Sequence, residues 1–381
     1  MTLFSPGAPG AAPLASMAAP AIGPMRAVHR AAAELRRGAP VLLEGSAPLV
    51  VLAAETVGER GLAEFAELTE GTPVLLVAPV RAAAILHRPV PPDPAVALEL
   101  PGPLLTVPSV QALADPTLPQ ERPSAPTPAA APEAAPAALM LVKLSRLLPA
   151  VLAAPARPDA ARTLARLGLL SVPAADAAAY PGAGVAGLTR VTEALVPLDD
   201  ANETRIVAFR TDDGGVEHLA IVLGDPHSLE APLVRLHSEC FTGDLLGSLR
   251  CDCGAQLRGA IRRMAQEHAG VLLYLAQEGR GIGLVNKLRA YALQDRGLDT
   301  LDANRALGWG ADERSFMVAA MMLEALGLHR VRLLTNNPHK IAALAACGIA
   351  VAGRVPHAFA PNGVNDRYLA TKARRFGHLL D

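Results

Sequence analysis

The sequence predicts a two-domain α/β protein in which a mixed β-sheet forms the centre of the C-terminal half. Three observations lead to this prediction. Strand and helix patterns alternate after Leu188, glycine, aspartate and asparagine stand at the turns between them, and 381 residues are enough for two hydrophobic cores. We expect the functional site in the loops that follow the strands, because such loops hold polar side chains on a rigid scaffold.

The strands of the C-terminal half are predicted from short runs that are rich in β-branched and apolar residues and end at turn residues. Three of these runs follow one another directly, and two come later, each between predicted helices. The five segments are ETRIVAFRT, HLAIVLGD, PLVRLHSE, VLLYLAQ and VRLLTNN.

The helices of this half are predicted from apolar residues at intervals of three and four. AQLRGAIRRMAQEHAG is predicted to end at Gly270. Pro338 is predicted to be the first residue of a later helix, a position where no N–H is needed. GLVNKLRAYALQDRG and SFMVAAMMLEALG are predicted to be the other two helices.

The N-terminal half is rich in Ala, Pro and Leu and poor in the polar residues that carry chemistry. Residues 1–25 are predicted to form a flexible tail, because they lack the basic start of a signal peptide and are interrupted by prolines. Residues 26–185 are predicted to form one domain, with an Ala/Pro-rich loop near 123–138, and residues 186–381 the second.

Composition limits the class of protein. The formal net charge of −1 gives no electrostatic basis for binding nucleic acid, and no run of 18 apolar residues free of charge and proline predicts a membrane span. Three of the four cysteines are clustered, which suits a reducing cytoplasm better than a disulfide framework. We therefore expect a cytoplasmic protein without a membrane or nucleic-acid partner.

The most informative feature is a group of three cysteines, Cys240, Cys251 and Cys253, within HSECFTGDLLGSLRCDCG. Zinc favours thiolate ligands in a tetrahedral shell, and three protein ligands leave the fourth position open. An open position is typical of a catalytic metal. The alternative is three reduced thiols without a metal. Cys347, in the apolar run AALAACGI, is predicted to be a core residue.

Two polar loops follow predicted strands. QEGRGIGL opens a helix, where backbone N–H groups favour anions and Arg280 could bind a phosphate through two hydrogen bonds. TNNPHK offers Thr335 and Lys340 to a nucleotide base or a phosphate. An ordinary strand–helix turn and a helix cap are the respective alternatives, and the spacings of the Walker and dinucleotide-binding motifs are absent.

A third segment, GADERSF, places Asp312 and Arg314 just before a helix. An acid and a guanidinium two residues apart usually form a solvated ion pair at the surface. On its own this segment therefore does not predict a site.

Taken together and in order, RLHSEC, SLRCDCG, QEGRGIGL, KLRAYALQD, ADER and LLTNNPHK resemble GTP cyclohydrolase II. The resemblance covers residues 189–381 and implies a mixed-sheet cyclohydrolase domain. It implies that the three clustered cysteines bind one zinc ion per subunit and that Tyr291, Asp312 and Arg314 form the catalytic group. The GTP contacts that it implies are Arg235, Leu236, His237, Ser238, Glu239, Gln256, Glu278, Gly279, Arg280, Thr300, Thr335 and Lys340.

The reaction implied by the resemblance converts GTP and water to formate, pyrophosphate and 2,5-diamino-6-(ribosylamino)-4(3H)-pyrimidinone 5′-phosphate, the first committed step of riboflavin synthesis. Mg²⁺ is expected with the triphosphate, and a homodimer is implied. The family assigns Arg314 as a nucleophile with Asp312 as its base. Because a guanidinium does not readily lose a proton, a charge clamp with water attacking is the alternative role.

The N-terminal half resembles a degenerate 3,4-dihydroxy-2-butanone-4-phosphate synthase. The likeness rests on AVHRAAAELRRGAPVLLEGSAPLVVLAAE at one end and on LMLVKLSRLLPAVLAAP and GLLSVPAADAAAY at the other. Clustered carboxylates, which a magnesium site for a sugar phosphate needs, are missing between Glu44 and Glu55. We therefore expect a synthase-like α/β domain without activity.

Three alternatives to this reading remain at the level of sequence. The chain could be a bifunctional enzyme that retains synthase activity, or a GTP-binding protein that has lost catalysis. It could also be a paralogue that stops at a formylated intermediate.

Overall fold

Each half of the chain folds around its own seven-stranded sheet. The computed structural model describes residues 22–121, 123–183, 187–211 and 216–379. Most of the predicted tail, residues 1–21, lies outside the described residues, and the first helix begins at Ile22, inside the predicted range. No helix of the described residues is long and apolar enough to cross a membrane.

The N-terminal sheet has the strand order β5-β4-β3-β6-β2-β1-β7, in which only β1 and β7 are parallel. Its strands are β1 (Val41–Glu44), β2 (Leu49–Ala53), β3 (Val74–Val77), β4 (Val96–Glu99), β5 (Thr127–Ala129), β6 (Ala150–Pro155) and β7 (Leu170–Pro173). Its helices are α1 (Ile22–Arg36), α2 (Glu59–Leu68), α3 (Pro79–Leu86), α4 (Val107–Ala114), α5 (Ala135–Leu144), α6 (Ala160–Leu167) and α7 (Ala174–Ala183).

Both faces of this sheet are buried. Along β2, Val50 and Leu52 belong to one hydrophobic cluster, and Val51 and Ala53 belong to another. Successive side chains of a strand point to opposite faces, so a strand covered on both faces is apolar throughout. The continuous apolar run LVVLA therefore marks a central strand.

The C-terminal sheet has the strand order β14-β13-β11-β12-β10-β9-β8. Its strands are β8 (Leu188–Leu195), β9 (Thr204–Thr211), β10 (Glu217–Gly224), β11 (Leu233–Ser238), β12 (Ala269–Leu275), β13 (Arg330–Leu334) and β14 (Ala350–Val355). Its helices are α8 (Phe241–Asp244), α9 (Cys253–Gln266), α10 (Leu284–Asp295), α11 (Thr300–Ala306), α12 (Met317–Ala325), α13 (Pro338–Ala346) and α14 (Asp366–Phe376). The predicted mixed α/β sheet is confirmed.

The parallel part of this sheet positions the site. Strands β12, β11, β13 and β14 run parallel, whereas β8, β9 and β10 are antiparallel to their neighbours. The carboxyl ends of parallel strands meet at one edge, which is where open α/β sheets bind ligands. The loops after β11, β12 and β13 carry the cysteine, glycine and asparagine motifs, so the topology brings them together.

The sequence placed one helix end wrongly. Helix α9 stops at Gln266, and Gly270 lies within β12 rather than at the helix end. A Cβ on Gly270 would lie 2.5 Å from Met264 Cγ, so this glycine allows the helix to pack closely on the strand. The turn is made instead by His268, whose φ is 59°.

The stretch near 123–138, predicted to be a loop, contains the edge strand β5 and the first turn of α5. Proline is tolerated at both places, because an edge strand and a first helical turn both leave N–H groups without partners. Pro128 and Pro136 occupy these two positions.

The two halves share a hydrophobic cluster. Apolar side chains of α10 and α11, among them Leu293 and Ala303, belong to the same buried cluster as Leu75 and Leu152 of the N-terminal sheet. The cyclohydrolase-like half thus packs one face of α10 against the other domain.

Candidate active site

Three thiols meet at the carboxyl edge of the parallel strands. Cys240 follows β11, and Cys251 and Cys253 flank the start of α9. Their three Sγ atoms lie within 4.8 Å of one another, and Cys240 Sγ is 3.8 Å from Cys251 Sγ. A tetrahedral zinc with Zn–S bonds of about 2.3 Å requires sulfurs about 3.8 Å apart, so the cluster fits zinc.

The space around the thiols is kept open by Gly243, on the short helix α8. A Cβ at Gly243 would lie 2.7 Å from Cys251 Sγ and 3.0 Å from Cys240 Sγ. Any side chain there would push the sulfurs out of position. The arrangement of the three thiols therefore requires a glycine at this position.

Lys287, on α10, neutralises the cluster from one side. Its Nζ donates to Cys240 Sγ at 3.1 Å, to Glu278 Oε1 at 2.9 Å and to Thr242 Oγ1 at 3.0 Å. Burial disfavours its charge, but the Cys240 thiolate and Glu278 outweigh burial and raise the pKa of Lys287. The lysine thus stays charged beside the sulfur.

The three thiols share one negative charge when no metal is bound. Hydrogen bonds from Cys251 and Cys253 are the main cause of a pKa of Cys240 far below its usual value. The hydrogen bond to Cys240 raises the pKa of Cys251 to about 11, and the same interaction, with burial, raises the pKa of Cys253. One thiolate and two thiols result near neutral pH.

Asp244 holds the backbone of the first cysteine. Its Oδ2 accepts from the Cys240 backbone N at 3.0 Å and from the Tyr274 hydroxyl at 3.1 Å. His237 Nε2 lies 3.0 Å from Asp244 Oδ1. Burial lowers the pKa of His237, so a neutral ring donates through Nε2 and turns Nδ1 into an acceptor without a partner among the described residues.

The basic side chains of Arg235 and Lys340 form the other side of the cavity. Burial is the main cause that lowers the pKa of Arg235 to about 10, and burial also lowers the pKa of Lys340 well below its usual value. Lys340 Nζ donates to the Leu236 carbonyl at 2.7 Å, and Arg235 Nη1 donates to the Leu334 carbonyl at 3.0 Å. A bound anion would favour the charged forms of both side chains, so the cavity is suited to a polyanion.

Arg314, which lines the cavity, forms a two-pronged ion pair with Asp312. Arg314 Nε donates to Asp312 Oδ1 at 2.8 Å, Arg314 Nη2 contacts Asp312 Oδ2, and Arg314 Nη1 donates to Ser238 Oγ at 3.3 Å. Burial opposes ionisation of Asp312, but the hydrogen bonds and charge of Arg314 outweigh it and lower the pKa of Asp312. Asp312 therefore favours its ionised form in this pair.

The loop after β12 has an unusual backbone. Gly279 and Arg280 both have positive φ, 63° and 64°. Glu278 is 4% exposed, and its two oxygens accept from the Phe241 N at 2.7 Å and the Gly279 N at 2.9 Å. Arg280 stacks on Phe376 at 3.7 Å, and its Nη1 has no partner among the described residues.

The C-terminal helix α14 covers the cavity. Lys372 Nζ donates to Asp252 Oδ1 at 2.6 Å, and both side chains are buried. Asp252 accepts from Gln256, and Gln256 accepts from Arg235, so one hydrogen-bonded chain links α14 to the buried cations. Asp252 lies between two of the cysteines.

The structure brings the predicted site residues together with two exceptions. Leu236 is 1% exposed in the core and offers the site only its backbone, and Asp312 does not line the cavity but is hydrogen-bonded to Arg314, which does. The TNNPHK loop was interpreted either as a binding loop or as a helix cap, and it has features of both, since Asn337 caps α13 and Lys340 lines the cavity. The predicted residues that line the cavity are Arg235, His237, Ser238, Glu239, Cys240, Cys251, Cys253, Gln256, Glu278, Gly279, Arg280, Tyr291, Thr300, Arg314, Thr335 and Lys340.

Several residues that line the cavity were not predicted from the sequence. Lys287 stands four residues before Tyr291 on a predicted helix, and residues at this spacing lie on the same helix face. Lys287 could therefore have been predicted to line the cavity with Tyr291. No sequence pattern predicted that α14 lies beside the cavity, because this placement depends on tertiary packing. Tyr368, Lys372 and His378 line the cavity from this segment.

The chain is similar to known proteins over most of its length. Residues 189–356 match the family model described as GTP cyclohydrolase II. GTP cyclohydrolase-2 of Azospirillum brasilense is 52% identical, over 93% of this chain and 94% of that relative. GTP cyclohydrolase-2 of Xylella fastidiosa strain 9a5c is 40% identical, over 93% of this chain and 87% of the relative. GTP cyclohydrolase-2 of Actinobacillus succinogenes is 52% identical, over 51% of this chain and 90% of the relative.

Solved structures give weaker matches. A two-domain 3,4-dihydroxy-2-butanone 4-phosphate synthase from A. baumannii is 16% identical with a TM-score of 0.33, over 86% of this chain and 99% of that one. A cation-free 3,4-dihydroxy-2-butanone 4-phosphate synthase also has a TM-score of 0.33, over 41% of this chain and 97% of that one. Similarity at this level does not establish a shared fold.

Proposed function

The chain belongs to the GTP cyclohydrolase II family, and from that premise we propose zinc-dependent hydrolysis of GTP to formate, pyrophosphate and 2,5-diamino-6-(ribosylamino)-4(3H)-pyrimidinone 5′-phosphate. The single observation that carries the proposal is that three thiols and a group of buried cations line one cavity. A thiolate cluster suits a catalytic metal for the purine, and basic side chains without a carboxylate partner among the described residues, Arg235, Arg280 and Lys340, suit a triphosphate. In this proposal the enzyme carries out the first committed step of riboflavin synthesis.

The purine half of the reaction belongs to the thiolate end of the cavity. A zinc ion held by Cys240, Cys251 and Cys253 would supply a Lewis acid with an open position, able to turn water into a nucleophile near neutral pH. Tyr291 lines the same end, and burial raises the pKa of its hydroxyl. The tyrosine therefore keeps its proton, and its role is to donate a hydrogen bond or a proton to the opening ring.

The phosphate half belongs to the cationic end. Arg280, Arg314 and Lys340 line it, and one guanidinium nitrogen of Arg280 has no partner in the described part of the chain and could bind a phosphate oxygen. Loss of pyrophosphate from the α-phosphorus requires positioning and neutralisation of charge more than covalent help. Mg²⁺ would enter with the triphosphate, bound through phosphate oxygens and water.

Arg314 is better suited to be a charge clamp than a nucleophile. Its guanidinium already donates to both oxygens of Asp312, and the lowered pKa of Asp312 makes this carboxylate a weak base. A nucleophilic guanidinium would have to lose a proton to that base. The geometry favours a fixed cation that stabilises charge as pyrophosphate leaves.

The N-terminal domain is proposed to be a degenerate synthase-like domain without activity. Glu55, one of the few acids near its first strands, is bound by Arg289 at 2.9 Å and by the Leu148 backbone N at 2.7 Å. Both oxygens of the Glu55 carboxylate thus take part in structural hydrogen bonds.

We further propose a cytoplasmic homodimer. Its support is three leucines that are more than half exposed in the loop between the first two cysteines, Leu245, Leu246 and Leu249, since apolar clusters at a surface mark contact sites. A monomer by light scattering at micromolar concentration would contradict the dimer.

The test of the function is turnover of GTP by the zinc-loaded full chain, with formate, pyrophosphate and the diaminopyrimidine followed together. Equal amounts of the three products are expected, and Cys251→Ser should abolish formate. Cys347→Ser is the matched control, because Cys347 packs in the core away from the cluster. Pyrophosphate without formate from the wild type would contradict ring opening, and turnover of ribulose 5-phosphate would contradict the inactive N-terminal domain.

A further inference from the structure

Helix α10 has two functional faces. One carries Lys287 and Tyr291, which line the cavity beside the thiols. Another face carries Leu293, which is buried in the cluster shared with the N-terminal domain, and Ala290, between the two faces, both lines the cavity and belongs to that cluster. Any shift of the N-terminal domain against α10 would therefore move both cavity residues.

Arg289 fastens this helix to the N-terminal domain through charge. Its Nε donates to Asp115 Oδ2 at 2.7 Å and its Nη1 donates to Glu55 Oε1 at 2.9 Å, and all three side chains are less than one fifth exposed. Nη1 also donates to Asn286 Oδ1 at 2.8 Å. A guanidinium held by two carboxylates from another domain has one orientation, which sets the rotation of the helix.

The acids are themselves fixed. Glu55 follows β2, and its second oxygen accepts from the Leu148 backbone N at 2.7 Å. Asp115 ends α4, and its second oxygen accepts from the Thr117 N at 2.8 Å and the Thr117 hydroxyl at 2.6 Å. The anchor is therefore rigid on the side of the N-terminal domain.

The loop that contains Arg146 adds a second attachment. The Arg146 carbonyl accepts from Asn286 Nδ2 at 3.0 Å, and the Arg146 guanidinium donates to the Ala276 carbonyl at 3.0 Å. Asn286 is fully buried on α10, and Ala276 stands two residues before Glu278. The N-terminal domain thus touches both the helix and the loop that hold Lys287 and its carboxylate partner.

A third attachment reaches the loop of the Arg314 pair. Lys143 Nζ donates to Glu313 Oε1 at 2.7 Å. Glu313 lies between Asp312 and Arg314, and its backbone N donates to the Arg280 carbonyl at 3.0 Å. Helix α10, the loop after β12 and the loop of the Arg314 pair therefore each have a contact from the N-terminal domain.

We propose that Arg289 is a positioning residue for GTP turnover: held by Glu55 and Asp115, it orients α10 so that Lys287 and Tyr291 face the thiol cluster, which makes the N-terminal domain an internal support for catalysis. The inference rests on the proposed function for its kinetic readout. It assigns the N-terminal domain a role that needs no chemistry of its own. Displacement of a catalytic group by about 1 Å can cost about 100-fold in rate.

The test compares Arg289→Met and the double variant Glu55→Gln with Asp115→Asn against the wild type, all as full chains saturated with zinc. Arg296→Met is the matched control, because Arg296 lies on the same interface but donates only to the exposed carbonyls of Pro116 and Thr117. The readouts are kcat and KM for GTP, and amide hydrogen exchange in residues 284–295.

The expected result is a fall in kcat of about 10- to 100-fold with KM within about threefold, together with faster exchange in residues 284–295. Arg289→Lys should recover part of kcat, because a lysine can still pair with one of the two acids. The control should behave as the wild type does. If Arg289→Met fails to fold, the double variant, which keeps shape and hydrogen bonding, carries the test.

Normal kcat per folded molecule in the double variant, or unchanged exchange in residues 284–295, would overturn the positioning role. Absence of GTP turnover in the wild type would instead contradict the proposed function. In that case the exchange rates alone decide whether Arg289 orients α10.

Discussion

Lys287 Nζ lies 3.1 Å from Cys240 Sγ, and this contact joins the helix that carries Tyr291 to the thiol cluster. Lys287 also reaches Glu278, whose second oxygen holds the backbone just after Cys240. The contact therefore ties together the loops after β11 and β12. The thiol cluster therefore depends on a residue outside the three cysteines.

Lys287→Met should weaken zinc binding by about 10- to 100-fold, because partners that support ligands contribute affinity of this size. The substitution keeps most of the length of the side chain but removes the charge beside Cys240. Competition with a chromogenic chelator measures the change. Arg263→Met, which breaks an exposed ion pair on α9, is the control, and equal affinities of the two variants would count against the assignment.

Zinc binding near neutral pH should release two protons. Cys251, with a pKa of about 11, and Cys253, with a raised pKa, are protonated there, whereas Cys240 is a thiolate. The apparent affinity should rise by about 100-fold per pH unit, since the metal displaces both protons. Calorimetry in two buffers of different ionisation enthalpy counts the protons, and a value of three would show that Cys240 is not ionised.

Arg314→Lys should reduce release of pyrophosphate by about 100-fold or more, because a lysine cannot make the two-pronged contact with Asp312. Rapid quench with labelled GTP should trap no guanylyl-enzyme in the wild type. Arg354→Lys on the exposed side of β14 is the control. A trapped phosphoramidate on Arg314 would replace the clamp with the nucleophilic role.

Lys372→Met should destabilise the protein by about 3–5 kcal/mol, because it leaves the buried carboxylate of Asp252 without its cation. It should also raise KM for GTP, since Asp252 orients Gln256 in the cavity. Urea unfolding and steady-state kinetics measure the two effects. Adding Asp252→Asn should restore most of the stability, and a double variant as unstable as the single one would contradict the pairing.

Stability should fall as the pH is lowered from 6.5 towards 4. The pKa of His218 and the pKa of His357 are each lowered to about 4, against 6.5 in the unfolded chain. Burial is the larger cause for both, and a nearby arginine, Arg146 for His218 and Arg235 for His357, is the second. In this window the unfolded chain binds more protons, so each histidine removes about 2 kcal/mol of stability by pH 5.

Urea unfolding at pH 7 and pH 5 checks this prediction. The double variant His218→Gln with His357→Gln should lose less stability than the wild type between the two values. Exposed His329 provides the control as His329→Gln. Parallel losses in wild type and double variant would assign the acid sensitivity to other groups.

Much of the C-terminal fold could be predicted because its signals are local. Strand and helix periods, Pro338 at the start of α13 and the alternation of elements are all readable within short windows, and the structure confirms them. The end of α9 could not be predicted in this way, because Gly270 allows close packing against Met264 and does not end the helix. A glycine in sequence does not say which of its uses applies.

The sequence by itself determined the family, the thiol cluster and the order of the motifs, because residue type and spacing within a motif survive without three-dimensional context. Only the tertiary structure decided which distant side chains complete the site. Lys372 reaches Asp252 across 120 residues and Arg289 reaches Glu55 across 234, and such pairings depend on where the chain returns. Contacts of this kind leave no periodic trace, since each partner alone reads as an ordinary charged residue.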